Sequence, residues 1–279
     1  MKKIFAALLI IAAFTACDKI EGPYLTPDNS VSTDIVFPEL NPNDVYRKVL
    51  IEEYTGHRCT NCPDGHRELE NLQGRYGDTL IAIGIHAGTF SAPTSTFPND
   101  FRTEDGATLY TDYQVATIGT PAGVVGRAQY NNAYALNISS WQQAIGNNMQ
   151  QPCVAAVQVI NVFDPNSKML TAHTKTTLLN GYNEEVQIAL YIIEDDIIGP
   201  QKDGETTISD YVHKHVFRGS MNGTYGVALN APEEDGTFLK SYSMDCSQNG
   251  WNCANCSVVA VLMNAATHEV LQVEQVSFF

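Results

Sequence analysis

The sequence predicts a mixed α/β domain over residues 45–151, followed by an all-β sandwich over residues 152–279. In the first region, apolar runs with strand character alternate with segments of helical periodicity. From Cys153 onward, strand patterns recur every eight to twelve residues or so, with turn residues between them. The change of period near residues 151–154 places the domain boundary, and the length of each region suits one modest domain.

The α/β region opens with an apolar strand, Val49–Tyr54, and continues with a helical pattern from Pro63 to Tyr76. Gly77 is a suitable helix stop. The run Thr79–His86 is apolar throughout, as is typical of a buried parallel strand. The predicted elements that follow are a helix near 100–113, a strand after Pro121, and a helix containing Trp141 and Ile145. The resulting β-α-β-α-β-α order is typical of a thioredoxin-like domain.

A pair of cysteines, Cys59 and Cys62, lies between the first strand and the first helix, and Pro63 follows it directly. Thiols three positions apart can close a small disulfide. Free N–H groups and the helix dipole at a helix N-terminus favour the thiolate, which is the nucleophile in thiol exchange. We therefore expect Cys59 to be the exposed attacking residue and Cys62 the resolving one.

The same spacing allows two other interpretations. A zinc site would need a second ligand pair, for which Cys253 with Cys256, or His57 with His66, are candidates. A second alternative is an inert stabilising disulfide, which extracytoplasmic proteins often contain. The strand, motif, proline and helix context favours redox chemistry, and we expect neither a metal nor a cofactor.

Two further features suit thiol exchange. Glu53 stands six positions before Cys59, where thioredoxins have a buried acid, although an exposed strand-edge residue is an equal alternative. Thr120-Pro121 follows the second predicted helix and precedes a strand, which is where thioredoxin-like folds have a cis-proline. We therefore expect Thr120, Pro121 and Glu53 to complete the site.

The all-β region resembles an immunoglobulin-like or fibronectin-like sandwich of about seven strands. A long loop is expected through Gly199 and Gly204, after the strand at 185–194. Cys153, Cys246, Cys253 and Cys256 are candidates for structural disulfides in an oxidising compartment. The short separations predict that Cys246 pairs with Cys253 or Cys256.

The N-terminal segment predicts the cellular location of the protein. Lys2 and Lys3 precede an apolar run that closes in Thr15-Ala16-Cys17, so residues 1–17 form a signal peptide whose last residue is a candidate lipidation site. Residues 18–44, rich in proline and polar residues, predict an extended tether. The net charge of −15 argues against nucleic acid as a partner and against a polybasic membrane footprint. A lipid anchor in the cell envelope, at the outer membrane, is the expected attachment.

Three segments carry a resemblance to a known family: VLIEEYTGHRCTNCP at 49–63, KHVFRGSMNGTYG at 214–226 and WNCANCSVVAVL at 251–262. The chain resembles the Gram-negative outer-membrane lipoproteins named for a 28-kilodalton member. The resemblance implies an outer-membrane lipoprotein with a thioredoxin-like domain and a β-sandwich, in a family regarded as surface adhesins or receptors.

Two functions from different classes are therefore expected. The first is thiol–disulfide exchange on extracytoplasmic protein thiols or disulfides, through Cys59, Cys62 and Pro121. The alternative is an adhesin, receptor or binding module whose cysteine pair is structural. The sequence does not indicate an oligomeric state.

Overall fold

The computed structural model describes residues 35–279. The predicted signal peptide, with Cys17, and residues 18–34 of the predicted tether lie outside the described residues. Residues 35–41 contain no regular element, and a short 3-10 turn, Pro42–Asp44, precedes the first strand.

Three α-helices and fourteen strands make up the described chain, with short 3-10 turns between some of them. The first half contains β1 (Val49–Thr55), α1 (Cys62–Tyr76), β2 (Leu80–His86), α2 (Glu104–Asp112), β3 (Ala122–Val125), β4 (Ala135–Leu136) and α3 (Ile138–Met149). The second half contains β5 (Ala155–Phe163), β6 (Met169–Leu178), β7 (Val186–Glu194), β8 (Ile197–Asp203), β9 (Thr206–His213), β10 (Val216–Ser220), β11 (Val227–Ala228), β12 (Thr237–Asp245), β13 (Cys256–Asn264) and β14 (Val270–Ser277). The architecture is mostly β, with mixed and antiparallel sheets.

One nine-stranded sheet runs through both halves in the order β14-β13-β7-β10-β2-β1-β3-β4, with β11 beside β7. At its centre β1 pairs in parallel with β2 and antiparallel with β3. Every residue of β1 and β2 is buried, because helices cover the sheet on either side. Strand β10 joins β2 in parallel through Val216 opposite Gly84, so the second half continues the sheet of the first.

Helices and a second sheet cover the two faces. On one face, α1 and α3 pack through Leu69, Leu72 and Trp141 against β1 and β2. On the other face, Leu109 of α2 lies in a core that includes residues of β7, β13 and β14. The antiparallel sheet β12-β6-β5 packs on β7 and β13 and encloses a third core.

A buried ion pair lies where the halves meet. Arg127 donates to Glu52 of β1 at 2.6 Å and to the Tyr191 hydroxyl of β7 at 2.8 Å, and neither charged side chain is exposed. A buried ion pair is stable only if the donors and acceptors that the pair itself leaves unused also form hydrogen bonds. The Tyr191 hydroxyl accepts one such bond from Arg127. The pair therefore joins β1 of the first half to β7 of the second half.

This topology corrects the predicted fold class in one respect. The second half does not form a separate immunoglobulin-like or fibronectin-like sandwich, because β7, β10, β13 and β14 belong to the sheet that contains β1. A sandwich is present, but one of its two layers is this shared sheet. The chain crosses from α3 to β5 at residues 150–154, where the sequence places the boundary, and independent folding of the two regions remains a prediction.

Between residues 35 and 279, none of the helices combines the length and the apolarity that crossing a membrane requires.

Candidate functional site

The first cysteine motif, Cys59 to Cys62, lies in the loop that connects β1 to α1. The two residues form a disulfide, with their Cα atoms 5.4 Å apart. The helix begins at Cys62, with Pro63 in its first turn and Asp64 beside the N-terminus, as the dipole favours. Cys59 lies ahead of the helix rather than within its first turn.

The expectation that Cys59 is exposed is wrong. Its exposed fraction is 3%, and that of Cys62 is 0%. Thr60 and Asn61 between them are exposed, so the loop reaches the surface while its sulfurs do not.

The Thr120–Pro121 peptide bond is cis, as expected, and it lies beside the motif. The Thr120 carbonyl oxygen is 3.6 Å from the Cys59 sulfur. Phe90 approaches from another loop, where its carbonyl accepts from the Arg58 N–H at 3.1 Å. Phe90 and Ile118 are large apolar side chains with about half of their surface exposed, at 48% and 40%.

Glu53 is buried beneath the motif, so the alternative of an exposed strand-edge residue is wrong. A Cβ atom placed on Gly65 of α1 would lie 2.8 Å from the Glu53 Oε1 atom and 3.1 Å from the Pro121 Cβ atom. Gly65 follows Cys62 by three positions and shares its helix face, so the acid and the proline both pack against α1 within one turn of Cys62.

Burial changes the protonation of Glu53. Its Oε1 atom has no hydrogen-bond partner among the described residues, and desolvation raises the pKa of the carboxyl group to about 8. The carboxyl group is therefore mostly protonated at neutral pH, and it is able to act as a proton donor.

His66 continues the polar path from Glu53. Its Nε2 atom lies 3.5 Å from the Glu53 carboxylate and 2.9 Å from the Thr55 hydroxyl, and its Nδ1 atom is 2.6 Å from the Tyr211 hydroxyl. Burial, followed by the charge of Arg67, lowers the pKa of His66 to about 4. The imidazole is thus neutral at pH 7 and can exchange a proton with either neighbour.

A small cavity of about 40 Å³ adjoins these groups, and we call it the histidine cavity. Its ionisable lining includes Glu53, His66, His86, Tyr211 and His213. Among the described residues, both ring nitrogens of His86 and the Nε2 atom of His213 have no hydrogen-bond partner. Burial lowers the pKa of His213 to about 3 and that of His86 well below its usual value, so both rings are neutral. Unpartnered polar atoms around a cavity suit ordered water.

The hairpin β8–β9 covers the first cysteine motif, although the sequence predicts a loop there. The Lys202 N–H donates to the His57 carbonyl at 2.8 Å, and the Gly204 N–H donates to the Thr60 carbonyl at 2.9 Å. The buried Gln201 side chain donates to the carbonyls of Gly56 and Cys59. These contacts hold the motif loop in place, and they explain why so little of Cys59 is exposed.

Sequence reasoning missed His86, Tyr211 and the hairpin as parts of the site, and it considered His66 only as a possible zinc ligand. His66 stands four positions after Cys62, so it lies one turn along the same helix face, which is a signal that could have been used. No local signal links Tyr211 to that face, because the contact spans 145 residues.

The other cysteines behave differently from the prediction. Cys153, Cys246, Cys253 and Cys256 are free thiols, so the predicted disulfide of Cys246 with Cys253 or Cys256 is not formed. Cys153 lies apart from the other three, next to Gln272 of β14 and the Ala155 carbonyl of β5. The zinc alternative has no support either, since no three His, Cys, Asp or Glu side chains within residues 35–279 are placed to hold a metal ion.

Two of the solved structures that match this chain cover most of its length. HBP35 of Porphyromonas gingivalis matches with a TM-score of 0.64 and 17% identity, over 83% of this chain and 75% of that one. A structural-genomics target from Agrobacterium tumefaciens matches with a TM-score of 0.51 and 10% identity, over 85% of this chain and 96% of that one. At these identities the matches describe the fold.

A third solved structure is a domain of the outer membrane lipoprotein Omp28 from Porphyromonas gingivalis, with a TM-score of 0.33 and 18% identity over 46% of this chain and 89% of that one. No curated protein matches the chain. The family model for the outer membrane protein Omp28 matches residues 107–278, a segment that begins after the first cysteine motif. Because this match covers more than half of the sequence, the chain belongs to the Omp28 family of outer membrane proteins.

Proposed function

We propose that the protein is an envelope protein that exchanges disulfides with extracytoplasmic proteins through a thioredoxin-like site at Cys59 and Cys62. One observation carries the proposal: the helix that begins at the disulfide packs, at Gly65, against a buried carboxyl group, Glu53, whose Oε1 atom has no hydrogen-bond partner among the described residues. A structural disulfide has no need of such a group, whereas thiol exchange needs a proton donor and acceptor near the resolving sulfur.

The exchange balances in atoms and electrons. A substrate thiolate attacks the Cys59 sulfur, the Cys59–Cys62 bond breaks, and the Cys62 thiolate takes a proton from Glu53. A second substrate thiol then attacks the substrate sulfur of the mixed disulfide, and Cys59 leaves as a thiolate. Two substrate thiols are oxidised and one protein disulfide is reduced. The reverse sequence reduces a substrate disulfide.

Each neighbouring group has a part in this proposal. The Thr120 carbonyl, 3.6 Å from the attacked sulfur, offers a backbone acceptor to an extended substrate. His66 and Tyr211 restore the proton of Glu53 through the histidine cavity. Phe90 and Ile118 contact apolar residues that flank the substrate cysteine.

A second candidate is a binding module or surface adhesin with a structural cysteine pair. The 3% exposure of Cys59 and the hydrogen bonds from the hairpin favour this alternative. In either case, we propose that the chain is an outer-membrane lipoprotein anchored through Cys17. Mass spectrometry of the membrane-extracted protein tests the anchor, because an unmodified Cys17 in the mature chain would contradict it.

A trapping experiment separates the two functions. The Cys62→Ser variant should form a stable mixed disulfide with a fluorescent peptide that carries a disulfide, because nothing resolves the Cys59 adduct. The Cys59→Ser variant should trap at least about tenfold less. Redox proteins have reduction potentials of about −270 to −120 mV, and structural disulfides lie below about −300 mV. A potential below that limit, together with no trapping, would leave the binding module as the function.

A further inference from the structure

Three of the free cysteines lie together at one end of the sandwich. In the sequence they are more than 180 residues after the first cysteine motif. Cys246 follows β12, and its N–H donates to the Lys168 carbonyl at 2.9 Å. Cys253 begins a short 3-10 turn, and Cys256 begins β13. The two buried thiols, Cys246 and Cys256, are 3% and 1% exposed and belong to one apolar core, against which the partly exposed Cys253 packs.

Backbone geometry places two of these thiols within bonding reach. The Cys256 N–H donates to the Cys253 carbonyl, which closes an i to i+3 turn. Such a turn keeps the two Cα atoms within about 7 Å, and disulfides span Cα distances of about 4.4–6.8 Å. The Cys253–Cys256 pair can therefore form a disulfide with little movement of the backbone.

The three thiols also interact electrostatically. Burial is the main cause that raises the pKa of Cys256, followed by Glu194, and Cys253 and Cys246 contribute in the same direction. Burial and then Cys253 raise the pKa of Cys246 to about 12. Both buried residues are thus protonated at neutral pH, and Cys253 is the thiol of the group that a solute can reach.

Cys253 faces a cavity of about 290 Å³ whose walls include Phe163, Trp251 and Phe279. The exposed Lys168 also lines it, and Cys246 lies at its base. Aromatic walls with one cation suit a small molecule that carries a carboxylate. Cys256 is not part of the lining, whereas Cys253 is, so a molecule in the cavity can contact Cys253.

We propose that Cys253 and Cys256 form a second thiol–disulfide centre, in which Cys253 attacks a small anionic disulfide bound in this cavity and Cys256 resolves the adduct. The Cys253 thiolate displaces one thiolate from the small disulfide and forms a mixed disulfide. The thiolate released in this first step takes the proton of Cys256, and Cys256 then attacks the Cys253 sulfur, which releases the second thiolate. Two cysteine thiols are oxidised and one small disulfide is reduced to two thiols. This centre does not depend on the chemistry of Cys59 and Cys62.

The test uses oxidised glutathione as the probe, on the full chain with Cys59→Ser and Cys62→Ser so that the first motif is silent. Peptide mapping over time should find glutathione on Cys253 first and a Cys253–Cys256 disulfide afterwards. Cys253→Ser should lower total modification at this site at least about tenfold. Cys153→Ala is the control, since it removes a free thiol that lies apart from this group and should leave the Cys253–Cys256 product unchanged.

Charge recognition is tested separately. Lys168→Gln should slow glutathione addition to Cys253 about threefold and should leave addition from the neutral hydroxyethyl disulfide unchanged. Because Cys256→Ser alters a buried position, the time course with all three cysteines present serves as the primary measurement. Modification of Cys253 no faster than that of Cys153, or a Cys246–Cys253 bond as the main product, would overturn the proposal.

Discussion

The chain contains two C-x-x-C motifs, and each leads into a different kind of secondary structure. After the first, Cys59 to Cys62, comes the fifteen-residue helix α1, and the pair is oxidised. The second, Cys253 to Cys256, leads into strand β13, and its thiols are free. A helix N-terminus presents free N–H groups that stabilise a thiolate, whereas a strand presents no such dipole.

The packing beneath the two motifs differs as well. Glu53, a protonated carboxyl group, lies beneath the first motif, while the core of the sandwich surrounds Cys256. The spacing of the cysteines thus provides only their proximity. The helix or strand after each motif, and the groups beneath it, give the two pairs of cysteines different electrostatic surroundings.

The largest expected effect is on thiol reactivity. In the fully reduced protein at pH 7, iodoacetamide should modify Cys59 at least about 100-fold faster than Cys256. The thiolate fraction falls about tenfold for each unit by which the pKa of a thiol rises, and the higher nucleophilicity of the more basic thiolate offsets about half of this decrease on a logarithmic scale. Cys62 should react more slowly than Cys59. Quenched mass spectrometry measures each rate. Rates for Cys59 and Cys256 within tenfold of one another would mean that the helix does not distinguish the two motifs.

The second prediction concerns pH. Glu53 has a folded-state pKa of about 8, above its ordinary value of 4.5, so its contribution to stability is complete below pH 4.5 and is lost as the pH rises to 8. Between pH 5 and pH 8, this effect should lower the free energy of unfolding of the wild-type protein by about 2–4 kcal/mol, and the Glu53→Gln variant should not show it. Urea unfolding at both pH values measures it. Glu234→Gln, at an exposed position, is the control, and its free energy of unfolding should depend on pH as that of the wild-type protein does.

The third prediction tests the close approach of α1 to Glu53 and Pro121. Gly65→Ala should destabilise the protein by about 1–3 kcal/mol, because its Cβ atom would lie 2.8 Å from the Glu53 carboxylate and 3.2 Å from Trp141. Gly74→Ala is a matched control in the same helix, where a Cβ atom meets nothing within 4 Å. That variant should stabilise by about 0.5–1 kcal/mol. Equal urea midpoints for the two variants would argue against tight packing under the first motif.

The smallest expected effect concerns the hairpin over the first motif. Gln201→Ala removes the donor to the Gly56 and Cys59 carbonyls, so the loop should loosen and reduction of the disulfide by dithiothreitol should become about three- to tenfold faster. Gln143→Ala, on the exposed face of α3, should leave the rate unchanged. An unchanged rate for Gln201→Ala would show that the hairpin does not limit access to Cys59.

Local patterns in the sequence predict the first motif well. The apolar run of β1 and the proline, glycine and periodicity signals of α1 specify both elements, and the position of Thr120-Pro121 after α2 specifies the cis bond. The burial of Glu53 results from its place in a strand that is covered on both faces.

Contacts between distant segments could not be predicted from these patterns. Gly199, Pro200 and Gly204 look like loop residues, but backbone pairing across β8 and β9, together with hydrogen bonds to the motif loop, makes them part of a hairpin. The pairing of Val216 with Gly84 joins the halves across more than a hundred residues. The pattern of apolar residues predicts that a segment forms a strand, but it does not predict which other strand that segment pairs with.

The seam between β2 and β10 has a consequence for the dynamics of the site. Seven residue pairs join β2 to β1, whereas in the described chain a single pair joins β2 to β10, with one hydrogen bond from the Gly84 N–H to the His215 carbonyl at 2.7 Å. Hydrogen exchange reports such differences, and the Gly84 amide should exchange through a smaller opening than the amides of β1. Gly84 and His86 both line the histidine cavity, so each opening of this seam admits solvent close to Glu53 while the rest of the sheet stays paired.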